Sequence, residues 1–296
     1  MNDVLTLKDI SNENLDKVAA MIGQKDNRKG GANTGFPRLA IEQQNENDSG
    51  DVLPKGSFRL KTGNDVLYAK DLEVRLFVRY YSYDLWNNSN PELSVRTVLQ
   101  PSLSDNFPDT SGGERCGKLS KDEIAALPKN SIEHARQSNI KATQVVYGVV
   151  HKGSATRAES DDEVDVSGTP FIWSARGSAF MPVANYIREI PSNKIMFSQK
   201  VKISTSRNKN GTVIYYTPVF DKPAGVQVKD KDIELVKSFM EDIGRWNDRV
   251  LKEYNERKES VLSKEDLEVS DVLEEHMEAM ELDFSDDNFE DGSKNE

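Results

Sequence analysis

The sequence is poor in residues that form covalent or metal cross-links, with one cysteine and three histidines among 296 residues. The single cysteine, Cys116, excludes an intramolecular disulfide and a multi-cysteine zinc site. No apolar run approaches the ~20 residues that span a bilayer. The segment MNDVLTLKDISNENL has acidic residues where a signal peptide has lysines, and it lacks an apolar core region. We therefore expect a soluble protein of a reducing, intracellular compartment.

Signatures of catalysis are equally scarce. His134, His151 and His276 lie far apart, and none stands in a metal-binding spacing such as H-E-x-x-H. The sequence has no P-loop, no dinucleotide-binding fingerprint and no nucleophile elbow. The acidic cluster 161–165 could hold Mg²⁺ in a nuclease, but nucleases draw their carboxylates from separated elements, which favours a solvated loop. We expect no enzymatic activity, no metal and no cofactor.

The charge of the chain is concentrated at one end. Between Glu265 and Glu296 there are 14 acidic residues and one basic residue, Lys294, so this segment carries −13. The total of −11 then leaves +2 for residues 1–264. A slightly basic body with a strongly acidic tail is compatible with nucleic-acid binding, which a uniform acidic charge would oppose. The alternative interpretation of the tail is a solubilising, disordered end.

The stretch from Leu72 to Trp86, LEVRLFVRYYSYDLW, alternates like a half-buried β-strand. One face is apolar, with Val74, Leu76, Val78 and Tyr80. The other, called here the Arg75–Tyr83 face, consists of Arg75, Phe77, Arg79, Tyr81 and Tyr83. Rings can stack on unpaired bases and cations can bind phosphates, so this face suits a single-stranded nucleic acid. The alternative is that the rings cover a second hydrophobic layer and the arginines pair with acids.

A second strand pair offers similar chemistry. The segments 200–208 and 212–220 flank Asn210-Gly211, the strongest short-range signal for a β-hairpin. The hairpin places basic and aromatic residues outside a Val/Ile face, namely Lys200, Lys202, Arg207, Lys209 and Tyr215. We expect these side chains to add phosphate and base contacts to the Arg75–Tyr83 face.

Periodicity and turn residues predict the other elements. Short strands are predicted over 36–41, 57–61, 93–99, 143–151 and 169–176, and a long extended stretch over 66–86. Ser120 and Glu123 form a capping box for a short helix that ends before Pro128. Further helices are predicted over 11–22, 180–187 and 230–257, the last covering the sheet, pausing after Lys258 and resuming over 263–283. The loop over 23–35 is either a linker or a flap over a bound strand.

This combination resembles the single-stranded DNA-binding proteins of bacteriophage replication. The resemblance rests on the arginine–aromatic strand, the lysine-bearing hairpin, a β-rich body ending in a helix, and an acidic tail containing phenylalanines. It covers the order of elements from about Gly56 onward, and departs from the family in its longer insertions and in a tail that continues past Phe289. The resemblance implies an OB barrel and a tail that recruits polymerase, helicase or primase and competes with DNA. The implied partner-binding residues are Phe284, Asp286, Asp287 and Phe289.

The predicted fold class is α+β, mainly antiparallel β, with an OB-like barrel elaborated by loops, a C-terminal helix and a disordered acidic tail. Residues 1–55 are expected to be a flexible segment with one short helix, 56–260 the nucleic-acid-binding domain, and 261–296 the tail. The expected function is sequence-tolerant binding of single-stranded DNA in phage replication or recombination, in the cytoplasm of an infected cell and away from membranes. Two alternatives are a virion structural or scaffold protein and a Mg²⁺-dependent nuclease. The sequence does not distinguish DNA from RNA as the ligand, and it does not establish whether the protein self-associates.

Overall fold

The computed structural model describes residues 35–46, 50, 52–63, 65–86, 94–157, 160 and 162–283, with side chains up to residue 259. Close contacts divide the chain into Met1–Phe36 and Pro37–Glu296, and every element named below lies in the second unit. The predicted helix over 11–22 and the predicted partner-binding residues of the acidic tail lie outside the described residues.

Twelve strands are present in the described part of the chain. They are β1 (Arg38–Ile41), β2 (Phe58–Thr62), β3 (Asp65–Ala69), β4 (Leu72–Leu85), β5 (Val95–Arg96), β6 (Ile140–Lys152), β7 (Ser154–Arg157), β8 (Glu163–Asp165), β9 (Pro170–Arg176), β10 (Gln199–Asn210), β11 (Val213–Phe220) and β12 (Ala224–Gly225). The sheet order is β11-β10-β4-β6-β9-β1-β2-β3-β7-β8, with β5 paired to β4 and β12 to β10. Neighbours run antiparallel except β1 and β9, which are parallel.

Four α-helices accompany the sheet within the described ranges. They are α1 (Lys121–Ala126), α2 (Ile132–Asn139), α3 (Phe180–Glu189) and α4 (Asp230–Asp283). None of them combines the length and the apolar character needed to cross a bilayer. The fold is thus mixed α+β, mostly strands, with the sheet curled into a half-barrel and a helix at the C-terminal end. At this level the predicted class is confirmed.

One side of the sheet, called here the core face, holds the main hydrophobic core. Val74 and Leu76 of β4 pack there with Val146 of β6 and with Phe171 and Trp173 of β9. The stacked rings of Tyr186 and Phe220, 4.5 Å apart, join α3 and β11 to this core. Burial of these side chains is the main favourable term in folding.

The opposite side, called here the helix face, is covered in part by α4. Phe239 is buried against Tyr147, with ring centroids 5.2 Å apart, and the Tyr147 hydroxyl donates to Asp242 at 2.9 Å. The helix therefore lies over β4 and β6 and leaves β9, β1 and β2 uncovered by it. This placement agrees with the prediction that the helix packs on the sheet.

Several predicted elements are confirmed. Strands are found where 36–41, 57–61, 143–151 and 169–176 were expected. The capping box is complete, since Ser120 accepts from the Glu123 amide at 3.3 Å and Glu123 accepts from the Ser120 amide at 2.8 Å. The hairpin is present, with a register that places Asn210 opposite Val213. Its two-residue turn is therefore Gly211-Thr212, one position later than predicted, with Gly211 at a φ of 58°.

Other predicted boundaries differ. The stretch 66–86 is two strands that separate at Lys70-Asp71, and the strand predicted over 93–99 is only β5. Helix α4 continues without the predicted pause, because the sequence 258–263 holds no glycine or proline to interrupt it. The body also begins before residue 56, since β1 is part of the sheet. Helix α2 and strand β7 arise where the sequence predicted no element, and β8 lies in the acidic cluster 161–165 that was interpreted as a solvated loop.

Candidate nucleic-acid interface

The predicted Arg75–Tyr83 face is divided by a β-bulge in β4. The register against β6 shifts between Leu76 and Val78, which leaves Phe77 as an extra residue. Successive side chains of a strand point to opposite faces, so an extra residue reverses the alternation of all those that follow. The alternation of residue types within β4 itself does not show this reversal.

The partners across the sheet show the result. Arg75 lies opposite Val149, and Arg79 lies opposite Val146. These two valines are an odd number of positions apart on a strand that is regular against β9, so they point to opposite faces. Arg75 is therefore on the helix face, whereas the residues that share the core side are Arg79, Tyr81 and Tyr83.

The first two members of the predicted face, Arg75 and Phe77, are buried and do not reach a ligand on the surface. Arg75 is 6% exposed and Phe77 is 5% exposed. The Arg75 guanidinium binds both carboxylate oxygens of Asp232 at 2.9 Å and donates to the Phe197 carbonyl. Phe77 stacks on the Phe197 ring at 5.0 Å and meets Phe239 edge-on at 5.8 Å. The expectation that these two residues are exposed is wrong, because α4 and the turn 196–198 before β10 cover them.

The other three members are half-buried and already have aromatic neighbours. The Arg79 guanidinium lies over the Tyr81 ring at 5.1 Å, and the rings of Tyr81 and Phe180 are 6.5 Å apart. Tyr83 meets Phe107 edge-on at 5.1 Å. These side chains link the end of β4 to α3 and to the loop before α1, so base binding by them stays a prediction.

The hairpin residues do not share one surface either. Lys200 pairs with Glu73 at 3.1 Å and Lys202 pairs with Asp71 at 3.3 Å. Arg207 and Lys209 are exposed nearer the turn. They stand at odd positions of β10, so they point to the opposite face from the two even-numbered lysines. Tyr215, opposite Asn208, shares the face of the two lysines.

A groove of about 1010 Å³ opens on the part of the helix face that α4 leaves uncovered, and is called here the outer groove. Its floor is formed by residues of β6, β9 and β1, which are Thr143, Val145, Tyr147, Ile172, Ser174, Arg176, Arg38 and Ala40. The register places all of them on one face. Its rim is formed by Asp242 and Trp246 of α4, by the end of β4 with β5, and by the hairpin tip. Tyr215 alone among the predicted site residues lines this groove.

Four arginines line the outer groove, each from a different strand. They are Arg38 of β1, Arg59 of β2, Arg96 of β5 and Arg176 of β9. Arg38 and Arg176 are exposed on the floor. Arg59 binds Glu42 at 3.1 Å, and the Arg96 guanidinium lies 5.9 Å from the centre of the Trp86 ring. The sequence does not reveal this cluster, because single arginines in separate strands are brought together only by the sheet order.

The three carboxylates of the outer groove are already engaged. Glu42, 3% exposed, accepts from Arg59 and from the Gln44 amide at 3.0 Å. Asp242 accepts from the Tyr147 hydroxyl and from Arg245 at 3.0 Å. A carboxylate that is already hydrogen-bonded to local donors repels an incoming anion less than a bare one would.

Asp84 is the third carboxylate, and protein donors hold it in place. It accepts from Thr143 at 3.0 Å and from Ser82 at 3.4 Å. Burial raises the pKa of its carboxyl, while the hydrogen bond from Thr143 and the charge of Arg176 work in the opposite direction. Burial likewise raises the pKa of the Tyr147 phenol, and its bond to Asp242 adds to the rise, so Tyr147 stays a protonated donor.

Three aromatic side chains complete the rim of the outer groove. Trp86, at the end of β4, is 48% exposed. Trp246 of α4 is half-buried, and its indole N–H donates to the Thr97 carbonyl at 3.0 Å. Tyr215 extends from the hairpin. The structure therefore places Trp246 between the segment that contains Thr97 and the groove.

Among the described residues, no group of three or more histidine, cysteine or acidic side chains is placed to hold a metal ion. Asp162 precedes β8 and Asp165 is its last residue, and both are exposed. Comparison with protein-family models, with curated proteins and with solved structures found no match to this chain.

Proposed function

We propose that this protein binds single-stranded DNA without sequence preference and without catalysis. The observation that supports the proposal is the outer groove, where four arginines and three exposed or half-exposed aromatic side chains meet on one side of the sheet. Cations that follow a phosphate backbone and rings that stack on unpaired bases are the two features of sequence-tolerant single-strand sites. We place the protein in phage DNA replication or recombination, in the cytoplasm of an infected cell.

The OB-like barrel belongs to the same proposal. The side-chain amide of Gln43 donates to the Tyr216 carbonyl at 2.8 Å and accepts from the Tyr216 amide at 2.9 Å. It thereby takes the place of a strand partner and ties the hairpin to the segment after β1. Gly56 allows this approach, because a Cβ there would lie 2.5 Å from the Tyr216 ring. A link between the hairpin and the β1 side of the sheet supports a barrel-like closure.

Removing the two exposed arginines of the floor tests the proposal. Each lost phosphate contact should reduce the slope of log K against log [salt] by ~0.7 for a single strand. The variant Arg38→Ala/Arg176→Ala should therefore bind weaker to all sequences alike, with a slope smaller by about 1.4. Fluorescence anisotropy with single- and double-stranded oligonucleotides at several salt concentrations measures both quantities.

Arg188→Ala is the matched control for this experiment, because Arg188 is an exposed arginine of α3 outside the outer groove. Arg59 is a poorer choice, since its loss leaves the buried Glu42 carboxylate without its main partner. An unchanged slope in the double variant would mean that the single strand binds elsewhere on the protein. Absence of single-strand binding by the unaltered protein would overturn the function, and Mg²⁺-dependent cleavage of the oligonucleotide would replace it with the nuclease.

The acidic tail is proposed to act as an internal competitor and as a docking peptide for replication proteins. A tethered polyanion is present at high effective concentration near a basic groove, and salt screens such exposed charges. Deletion of 283–296 should therefore tighten single-strand binding several-fold at low salt, with the difference shrinking as salt rises. The same deletion should abolish co-purification of polymerase, helicase or primase.

A length-matched pair of variants separates these two roles. Replacing the acids of 283–296 by amides keeps Phe284 and Phe289 but removes the charge, and should reproduce the tighter binding. The variant Phe284→Ala/Phe289→Ala keeps the charge. It should therefore lose partner binding and retain the competition with DNA. Equal affinity of the deleted and full chains at low salt would reduce the tail to a solubilising segment.

A further inference from the structure

We infer that the outer groove binds a strand with a base stacked on Trp86 and the sugar–phosphate backbone over Arg38 and Arg176. The inference rests on the proposed function. It adds to that function a residue whose contact with a base distinguishes binding of a single strand from binding of phosphate charge alone.

Trp86 is the most exposed indole of the described chain. Trp173 is 2% exposed in the core, and Trp246 is half-buried with its N–H bonded to Thr97. A large aromatic side chain that is 48% exposed at the rim of a groove leaves apolar surface in water, which burial against a ligand would remove. Trp86 is therefore the side chain of the groove with the most to gain from a stacked base.

Arg96 holds the Trp86 ring in place. Its guanidinium lies 5.9 Å from the ring centre, a cation–π arrangement that occupies one face of the indole. Arg96 is itself positioned by β5, where it stands opposite Asp84 of β4. The exposed part of the ring can then receive a base, and no hydrogen-bond readout is needed, since every base has a π-face.

The two exposed arginines lie on a different part of the groove. Arg38 stands beside Ile172 and Arg176 opposite Thr143, all on the helix face. Positions 172 and 176 of β9 are about 13 Å apart along the strand, so the two cations reach different phosphates. The floor thus supplies the charge and the rim supplies the stacking.

An oligonucleotide without bases separates the two contributions. We compare oligo-dT with an abasic oligomer of the same length and charge, using the full chain. The unaltered protein should bind oligo-dT more tightly, and Trp86→Ala should weaken that binding roughly 5- to 150-fold, the effect of one stacked base. The affinity of Trp86→Ala for the abasic oligomer should equal that of the unaltered protein.

Two controls make the comparison specific. Met181→Ala removes an exposed apolar side chain outside the groove and should change neither affinity. The variant Arg38→Ala/Arg176→Ala should lower the affinity for both oligomers by the same factor. Tryptophan fluorescence gives a second readout, because stacked bases should quench Trp86, and Trp86→Phe should remove most of that quenching.

The outcomes distinguish the inference from the function on which it rests. If the unaltered protein binds neither oligomer, the single-strand function itself fails. If it binds oligo-dT and the abasic oligomer equally, or if Trp86→Ala weakens both by the same factor, the function stands and the stacking role of Trp86 is overturned. If Trp86→Ala unfolds at the same temperature as the unaltered chain, misfolding is excluded as the cause of its weaker binding.

Discussion

Replacing Asp232 by alanine is expected to lower the free energy of unfolding by about 3–5 kcal/mol, the cost of leaving a buried charge without its partner. Asp232 is the buried acid in the first turn of α4, and its side chain binds Arg75 of β4. Among the described residues, the substitution would leave the Phe197 carbonyl as the only hydrogen-bond acceptor of the Arg75 guanidinium. Chemical denaturation at pH 7 measures the change.

The ion pair matters because it fixes α4 on the sheet. Both Asp232 oxygens accept from Arg75 at 2.9 Å, and one also accepts from the Lys229 amide at 2.8 Å. Such bidentate, charge-assisted bonds are the strong class of hydrogen bond. They connect the start of the helix to the strand whose far end carries Trp86. The same helix supplies the Asp242 and Trp246 side of the outer groove.

Two further variants control the Asp232 experiment. Lys231→Ala changes the exposed neighbouring residue and should leave stability within about 0.5 kcal/mol. The double variant Arg75→Met/Asp232→Leu replaces the pair by apolar side chains and should be less destabilised than Asp232→Ala. If Asp232→Ala were as stable as the unaltered chain, the pair would have no role in holding the helix.

The same pair makes stability depend on pH in the acid range. Burial raises the pKa of the Asp232 carboxyl, but the hydrogen bonds from Arg75 and Lys229 outweigh it, so the pKa is lower than usual. A lowered pKa gives stability that is complete above the unfolded value of ~3.9 and is lost as pH falls through the folded value. The stability difference between the unaltered chain and Asp232→Ala should therefore disappear only below about pH 4.

The elements with local signals could be read from the sequence. The capping box at Ser120 and Glu123, the Asn-Gly hairpin and the strand alternation each depend on residues within a few positions of one another. Their structures follow the predictions within one or two residues. The mixed α+β class with a C-terminal helix follows from them.

The candidate site could not be read in the same way, because its residues are distant in the chain. Arg75 has the pattern of an exposed strand residue, and it is buried by Phe197 and by Asp232 of α4, both more than a hundred positions away. Arg38, Arg59, Arg96 and Arg176 are ordinary residues of their own strands. The parallel pairing of β1 with β9, between strands far apart in sequence, brings Arg38 and Arg176 to one floor.

Gly148 is the residue of β6 that permits the bulge in β4, and its replacement by alanine is expected to destabilise the fold by about 1–3 kcal/mol, the usual cost of overpacking a core. A Cβ at this position would lie 2.5 Å from the Phe171 ring and 2.8 Å from the Arg75 carbonyl oxygen. The carbonyl belongs to the backbone of β4 and cannot rotate away as a side chain could. The two strands must therefore separate beside Phe77, where the register shifts.

Gly244→Ala is the matched control for Gly148→Ala. Gly244 lies in α4, and a Cβ there would meet no atom of another part of the described chain within 4 Å, so alanine should stabilise the helix by up to about 1 kcal/mol. Denaturant titration of both variants should thus give changes of opposite sign. If Gly148→Ala proved as stable as the unaltered chain, β4 could pair with β6 without this close approach. The alternation could then continue through Phe77, and Arg79 and Tyr81 would return to the face predicted from the sequence.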